Sequence, residues 1–220
     1  MKNNSRLVIF SGLDGSGKST QINLLKTQIV SSNGNCKVFW ARIGYTDRFE
    51  YLKSFIRKNI KNDIPPGKSE KRNRIFENKL FFFIWINLAL FDLIILWGII
   101  QRYYLFFNYT IICDRYIVDS EIDLKLNFPE FDYKRNILWR LLILLLPKKQ
   151  QGFCLWIDPN LSLARSKLKD EPFPDDVKTL KSRLLLYKNH YLISTNKYHK
   201  IECNGSINEI FNEIKTTLDL

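Results

Sequence analysis

The sequence predicts an α/β fold: a five-stranded parallel sheet sandwiched between helices. Three observations predict it. Short apolar runs rich in β-branched residues alternate with longer segments of helical spacing. The first such run leads through a glycine-rich loop directly into a helix. Later runs end on charged residues, Arg42, Asp114 and Asp158, at the carboxyl ends of strands where open α/β sheets bind ligands.

Leu7-Val8-Ile9-Phe10 reads as the first, buried strand. Ser19–Val30 carries Ile22, Leu25 and Ile29 at helical spacing, and Ser31–Asn35 ends that helix. Residues 37–41 form the second strand. Residues 47–61 read as a helix with Phe49, Leu52, Phe55 and Ile56 on one side. Pro65-Pro66-Gly67 interrupts, and 68–74 is a charged, exposed connection. A long apolar helix covers about 75–105. T-I-I-C at 110–113 is the third strand. An apolar helix over 136–146 stops at Pro147, and 153–157 is the fourth strand. A helix over 160–168, a charged loop to Asp176, a helix over 177–194, a strand at 199–202 and a helix over 206–218 complete the order. No repeat or linker divides the chain, so 1–220 reads as one domain.

The chain has 220 residues and a formal charge of +12. A basic excess suits anionic ligands. The lysines are scattered and form no tail, which speaks against a nucleic-acid groove. Cys36, Cys113, Cys154 and Cys203 form no C-x-x-C pair, so they read as small buried hydrophobes of a reducing compartment. The first apolar run is too short for a secretory signal, and a cytoplasmic location is expected.

Leu80–Ile100 is long and apolar enough to cross a bilayer. Asn87 and Asp92 near its middle oppose that reading, since a carboxylate is costly in lipid. A single span would also separate the first and third strands, which should share a sheet. The stretch therefore reads as a buried helix and a dimer face, with peripheral membrane contact as the alternative.

Gly12-Leu13-Asp14-Gly15-Ser16-Gly17-Lys18-Ser19 fits G-x-x-x-x-G-K-[ST] in full, between a strand and a helix. Backbone N–H groups of such a loop approach phosphate oxygens, and the helix N-terminus adds partial positive charge. Gly12, Asp14, Gly15, Ser16, Gly17, Lys18, Ser19 and Thr20 are the nucleotide-binding candidates. Lys18 suits the β- and γ-phosphates, and the Ser19 hydroxyl suits Mg²⁺. Asp114 suits Mg²⁺ or its waters, and Arg115 the transferring phosphoryl group. Arg42 points into the same crevice, as an acceptor-phosphate clamp or an ordinary solvated arginine. Arg165, Lys167 and Lys169 open a basic lid at about 165–176, or a charged surface helix; spacings of two do not share a helical face, so all three need not point inward. Arg183 and Tyr187 either brace that lid or lie on the surface. Asp119, Glu121 and Asp123 read substrate hydroxyls or mark a solvated helix start. His190 and His199 have no nucleophile or metal partner nearby in sequence and read as structural.

Five segments together resemble the thymidylate kinases and related nucleoside monophosphate kinases. They are L-V-I-F-S-G-L-D-G-S-G-K-S-T-Q at 7–21, A-R-I-G-Y-T at 41–46, I-C-D-R-Y-I-V-D-S at 112–120, L-W-I-D at 155–158 and the basic segment at 165–169. The resemblance implies a P-loop kinase fold with sheet order 2-3-1-4-5, ATP with Mg²⁺ as donor, and a homodimer. It implies Arg42 on the acceptor phosphate, Asp114-Arg115 on metal and phosphoryl group, Asn204 near the adenine, and Asp14 facing an acceptor sugar hydroxyl. The chain departs from that family on the acceptor side. Ile43-Gly44-Tyr45-Thr46 replaces a proline- and glycine-rich segment. Asn87 and Asp92 are the only polar candidates where the family offers an arginine and a glutamine to thymine.

The expected function is therefore ATP-dependent phosphoryl transfer, catalysed through Lys18, Arg115, Arg42 and Asp14 to a small-molecule acceptor. dTMP is the default acceptor, and a sugar or glycan intermediate is the rival. A non-catalytic, membrane-peripheral nucleotide binder is the reading from another class. The missing N-K-x-D segment argues against a GTPase switch.

Overall fold

The computed structural model describes residues 6–51, 76–168 and 175–220. Its five strands are β1 Leu7–Gly12, β2 Cys36–Trp40, β3 Thr110–Asp114, β4 Gln151–Trp156 and β5 Tyr198–Glu202. They form one parallel sheet in the order β2-β3-β1-β4-β5, as the resemblance implied. β1 lies at the centre, paired with β3 and β4, and all six of its residues are buried. A strand covered on both faces needs an apolar run rather than alternation, and L-V-I-F supplies it. Register places Phe10 opposite both Asp114 and Phe153, and Gly12 opposite Leu155. The carboxyl ends of β1, β3 and β4 therefore finish together.

The helices are α1 Lys18–Ser31, α2 Lys79–Leu93, α3 Gln101–Phe106, α4 Ile117–Asn127, α5 Ile137–Leu145, α6 Pro159–Leu168, α7 Val177–Lys188, α8 Tyr191–Ser194 and α9 Ile207–Leu218. Residues 47–51 begin a further helix. The rest of the stretch expected over 47–61, and the connection at 65–74, lie outside the described residues. The helix expected over 177–194 is instead two. His190 is extended, and its Nδ1 accepts the Leu192 N–H at 3.2 Å. This local bond starts α8 and competes with continuing α7. Nε2 of His190 lies 3.0 Å from Glu121, so the structural reading of this histidine holds.

The long apolar segment is helical from Lys79 to Phe106, with a π-helical stretch at Ile94–Ile100 joining α2 to α3. Asn78 caps its start by accepting the N–H groups of Leu80 and Phe81, both at 3.1 Å. By length and mean hydropathy, 2.3, it could cross a membrane, yet half of its most apolar window is buried in the protein. β1 pairs directly with β3 across it in sequence, so a single span between those strands does not occur. Trp85, Ile86, Ala89, Leu90, Leu93 and Trp97 face the core. The two polar residues near its middle are both satisfied. Asn87 Oδ1 accepts from Asn136 Nδ2 at 3.1 Å, and Asp92 accepts from the Thr46 hydroxyl.

The turn after β2 rests on this helix. Gly44 has φ +74°, and a Cβ there would lie 2.4 Å from Cζ2 of Trp85. Trp85 is itself held by Phe49, Phe76 and Phe128, with ring centroids 5.9, 5.0 and 5.9 Å away. Gly44→Ala is therefore expected to lower stability by about 2 kcal/mol or more, from left-handed backbone strain plus overpacking. Thermal melting of the two proteins checks this.

Candidate functional site

The glycine-rich loop sits where β1, β3 and β4 end. Gly12, Gly15 and Gly17 all have positive φ, at 140°, 73° and 93°. A Cβ on Gly12 would come 2.4 Å from the backbone oxygen of Leu155, so β4 forbids any other residue there. Gly17 is the left-handed residue before α1, and it turns the first N–H groups of the helix toward the crevice. The loop is pinned from the side by α6. Ser162 Oγ donates to the Asp14 carbonyl at 2.6 Å, and Arg165 Nη1 donates to the Gly15 carbonyl at 3.3 Å. Lys18 is buried, and its Nζ donates to the Gly12 and Leu13 carbonyls at 3.0 and 2.7 Å. Burial, with Arg115 nearby, pulls its pKa down. Ser16 is buried with no hydrogen-bond partner for its hydroxyl, while Ser19 and Thr20 are exposed at the mouth.

Beside the loop, cations and carboxylates interleave. Arg115 follows β3 with φ 75°, a left-handed conformation unusual for a side-chain-bearing residue. That turn aims its guanidinium back at the loop, where it pairs with the Asp14 carboxylate. Burial pushes the Asp14 carboxyl up, but Arg115, then Lys18, outweigh this and hold it at about 2. Arg115 also lies 3.5 Å from Asp119. Asp119 accepts from Ser11 Oγ at 2.6 Å, Tyr116 N at 3.0 Å and Tyr187 OH at 2.6 Å. One turn further along α4, Asp123 binds Arg42 and Arg183.

The structure thus gathers Gly12, Asp14, Gly15, Gly17, Lys18, Asp114, Arg115 and Arg42 around one crevice. Of the lid candidates, Arg165 reaches the loop, Lys167 is exposed, and Lys169 lies outside the described residues. Asn204 is exposed in the turn after β5. Asp119 and Asp123 are corrected. They are neither solvated nor free for substrate hydroxyls, because both are buried among protein donors. Arg183 and Tyr187 are buried too, not surface residues. The spacing held the signal: Asp119/Asp123 and Arg183/Tyr187 are each four apart, so each pair shares one helix face, and the two faces meet.

No protein-family model matches the chain, and no curated protein sequence matches it. The architecture does match solved structures. One, described as deoxyadenosine kinase from M.mycoides with bound dATP, superposes with a TM-score of 0.60. It covers 98% of this chain and 100% of that one, at 15% sequence identity. The chain has a P-loop kinase fold. At that identity the likeness carries the arrangement of strands and helices, and the chemistry has to be argued from the site.

The site fits a magnesium–nucleotide complex on its own geometry. Oδ1 of Asp114 is buried with no hydrogen-bond partner, and burial pushes that carboxyl's pKa up despite Lys18 and Arg115. A charged oxygen left unpaired destabilises the fold until a cation or its water shell meets it. Among the described residues no three His, Cys, Asp or Glu side chains converge on a metal position. Mg²⁺ takes one or two protein groups and keeps waters and phosphates; Asp114, with its unpaired buried oxygen, and the Ser19 hydroxyl would be those groups. A carboxyl with a raised folded pKa contributes stability at low pH that is lost as pH rises. Asp114→Asn should therefore melt higher at pH 7, by about 2–4 °C for ~1 kcal/mol. The same variant should lose the extra melting-temperature rise that MgCl₂ adds to ATP in the wild type. Paired thermal melts with ATP, with and without MgCl₂, check both.

Proposed function

We propose that this chain is an ATP-dependent phosphotransferase that carries the γ-phosphoryl group of ATP to a nucleoside monophosphate, dTMP being the default acceptor. The convergence of Lys18, Arg115, Asp114 and Asp14 on one glycine-rich loop carries the reading. The fold likeness to a nucleoside kinase structure supports it. Chemistry in such a site is positioning and charge neutralisation. Loop N–H groups and Lys18 hold the β- and γ-phosphates, Lys18 exchanging the Gly12 and Leu13 carbonyls for phosphate oxygens. A magnesium ion supplies charge neutralisation at the phosphates when bound. Arg115 stabilises charge on the group in transfer, and Arg42 holds the acceptor phosphate. Asp14 stays ionised and accepts a hydrogen bond from an acceptor hydroxyl.

One observation favours a second acceptor class within the same reaction. Asn87 and Asp92, the polar residues available on α2 for a base, are already bonded to Asn136 and Thr46. Trp85 on the same helix is walled in by phenylalanines. A sugar phosphate or glycan intermediate asks nothing of those groups. A coupled ADP-release assay across nucleoside monophosphates, deoxynucleosides and sugar phosphates decides. ADP release with dTMP, reduced on the order of 10²-fold or more in Lys18→Ala, is the expected result. Release with a sugar phosphate and none with dTMP moves the acceptor to the second class. Nucleotide binding without turnover on any acceptor overturns the enzyme reading in favour of a non-catalytic binder.

We also propose that the chain is a homodimer through α2 and α5. These helices lie side by side, joined by Asn87–Asn136, and Arg102 on α3 also donates to the Leu145 carbonyl of α5 at 2.9 Å. Their outer faces expose Leu80, Phe83, Ile84, Phe91, Ile137, Leu141 and Leu144, from 40% to 78%. Large apolar side chains left exposed together on two packed helices are the kind of surface that marks a protein or membrane contact. Sedimentation velocity should show a dimer for the wild type and a monomer for Phe83→Glu/Leu144→Glu. A wild-type monomer that binds anionic vesicles would assign this face to a membrane instead.

A further inference from the structure

Two arginines share one buried carboxylate. Arg42 Nε and Nη2 donate to Asp123 Oδ2 and Oδ1 at 2.7 and 3.0 Å. Arg183 Nη1 donates to the same Oδ1 at 2.6 Å, and its Nε and Nη2 donate to Asp175 Oδ2, both at 3.2 Å. The three side chains come from different places: the segment after β2, the α4 helix and the α7 helix. Their access to solvent differs sharply. Side-chain exposure is 28% for Arg42 but 2% for Asp123 and 3% for Arg183. Arg183 is fully engaged and enclosed. Arg42 alone of the three keeps a solvent-accessible side.

We propose that Arg42 is a swinging anion ligand parked on Asp123, and that Arg183 is the counter-ion that stays on Asp123 when Arg42 turns to phosphate. The inference rests on the acceptor role given to Arg42 above and deepens it. A guanidinium can leave a buried carboxylate only if the carboxylate is not stranded, because an unpaired buried charge is strongly destabilising. Arg183 removes that obstacle. It holds Asp123 through a different nitrogen and is braced by Asp175 at the foot of α7, so it cannot follow Arg42 outward. It also divides the Asp123 charge between two partners, which weakens the grip on Arg42. Arg183 is thus a positioning residue: it touches no substrate and sets how freely Arg42 can. Without it, Asp123 would have Arg42 as its sole strong partner and would hold it in the parked position.

The experiment is a set of variants read in two ways. In steady-state assays with dTMP, Arg183→Met should raise the acceptor KM about tenfold while the ATP KM stays within about twofold. Adding Asp123→Asn should bring the acceptor KM back toward wild type, because an amide no longer grips Arg42; a merely structural arginine would give additive damage. The second reading needs no turnover. Phenylglyoxal modification of Arg42, followed by peptide mass mapping, should be slower in Arg183→Met than in wild type. It should be faster in Asp123→Asn and in the double variant. If Arg183→Met does not fold, Asp123→Asn alone still decides, since a parked arginine must react faster once its carboxylate is gone. Equal rises in both KM values, additive loss in the double variant, or Arg42 reactivity indifferent to Asp123 would overturn the proposal. If wild type does not use dTMP, the acceptor reading falls by itself, and the modification rates still report whether Arg42 is parked.

Discussion

The carboxylate of Asp119 ties together β1, the turn after β3 and α7 behind the crevice. It accepts from Ser11 on β1, from the backbone of Tyr116 where α4 begins, and from Tyr187 on α7, with Arg115 at 3.5 Å. The Tyr187 hydroxyl also lies 3.4 Å from the Gly12 carbonyl, the first residue of the loop. One buried anion thus fixes the loop's root, the turn after β3 and the helix behind both. The turn needs such support. Arg115 is held in a left-handed conformation that costs ~1–3 kcal/mol, and its N–H donates to the Phe10 carbonyl at 2.9 Å, which prolongs the β1–β3 ladder past the strand end. The strain is the geometric means by which a side chain leaving β3 turns back toward the phosphate loop.

The second constraint is charge balance. Lys18, Arg42, Arg115 and Arg183 cluster at strand ends, and four like charges in a half-buried crevice would repel each other strongly. The chain answers with Asp14, Asp119 and Asp123 on the arginines and with Asp114 near Lys18. In the proposed function, phosphate binding would be an exchange: anionic oxygens would replace carboxylates or carbonyls at cations that are already in place. Such an exchange yields less net affinity than the bare charges suggest, but the donors need little rearrangement. The +12 surplus of the whole chain acts further out, raising the local concentration of anionic ligands rather than gripping them.

The sheet and the placement of the glycine-rich loop beside Asp114-Arg115 are legible in sequence because their signals are local. L-V-I-F, G-L-D-G-S-G-K-S and T-I-I-C-D-R each state within a few residues what they form, and strand-end logic places them together. What remained illegible needs contact between distant segments. Nothing local to Asp119 says that Ser11 and Tyr187 will meet it, and the same holds for Asp123 with Arg42 and Arg183. Acidic residues at the start of a helix read as solvated or substrate-facing because that is their usual state. Only the tertiary fold turns that helix face toward a basic one. The break at Asn189-His190 was missed for a related reason. An imidazole that accepts a backbone N–H mimics a cap, and no capping pattern predicts it.

The donor and acceptor halves of the crevice therefore stand on different footings. The proposed donor half follows largely from backbone geometry: glycines at positive φ, of which Gly12 and Gly15 are crowded by β4 and α6, a helix N-terminus and one lysine. Any chain with this fold and this loop would present it. The acceptor half is made by side chains particular to this sequence. Asp123 parks the arginine that would meet an acceptor, Trp85 fills space beneath Gly44, and Asn87 and Asp92 are satisfied within the protein. The last two leave a nucleobase fewer free groups and less volume, whereas the Asp123–Arg42 pair bears on the acceptor phosphate proposed above. In the proposed reading the acceptor phosphate would meet cations already in place, while a base would find Asn87 and Asp92 already engaged within the protein.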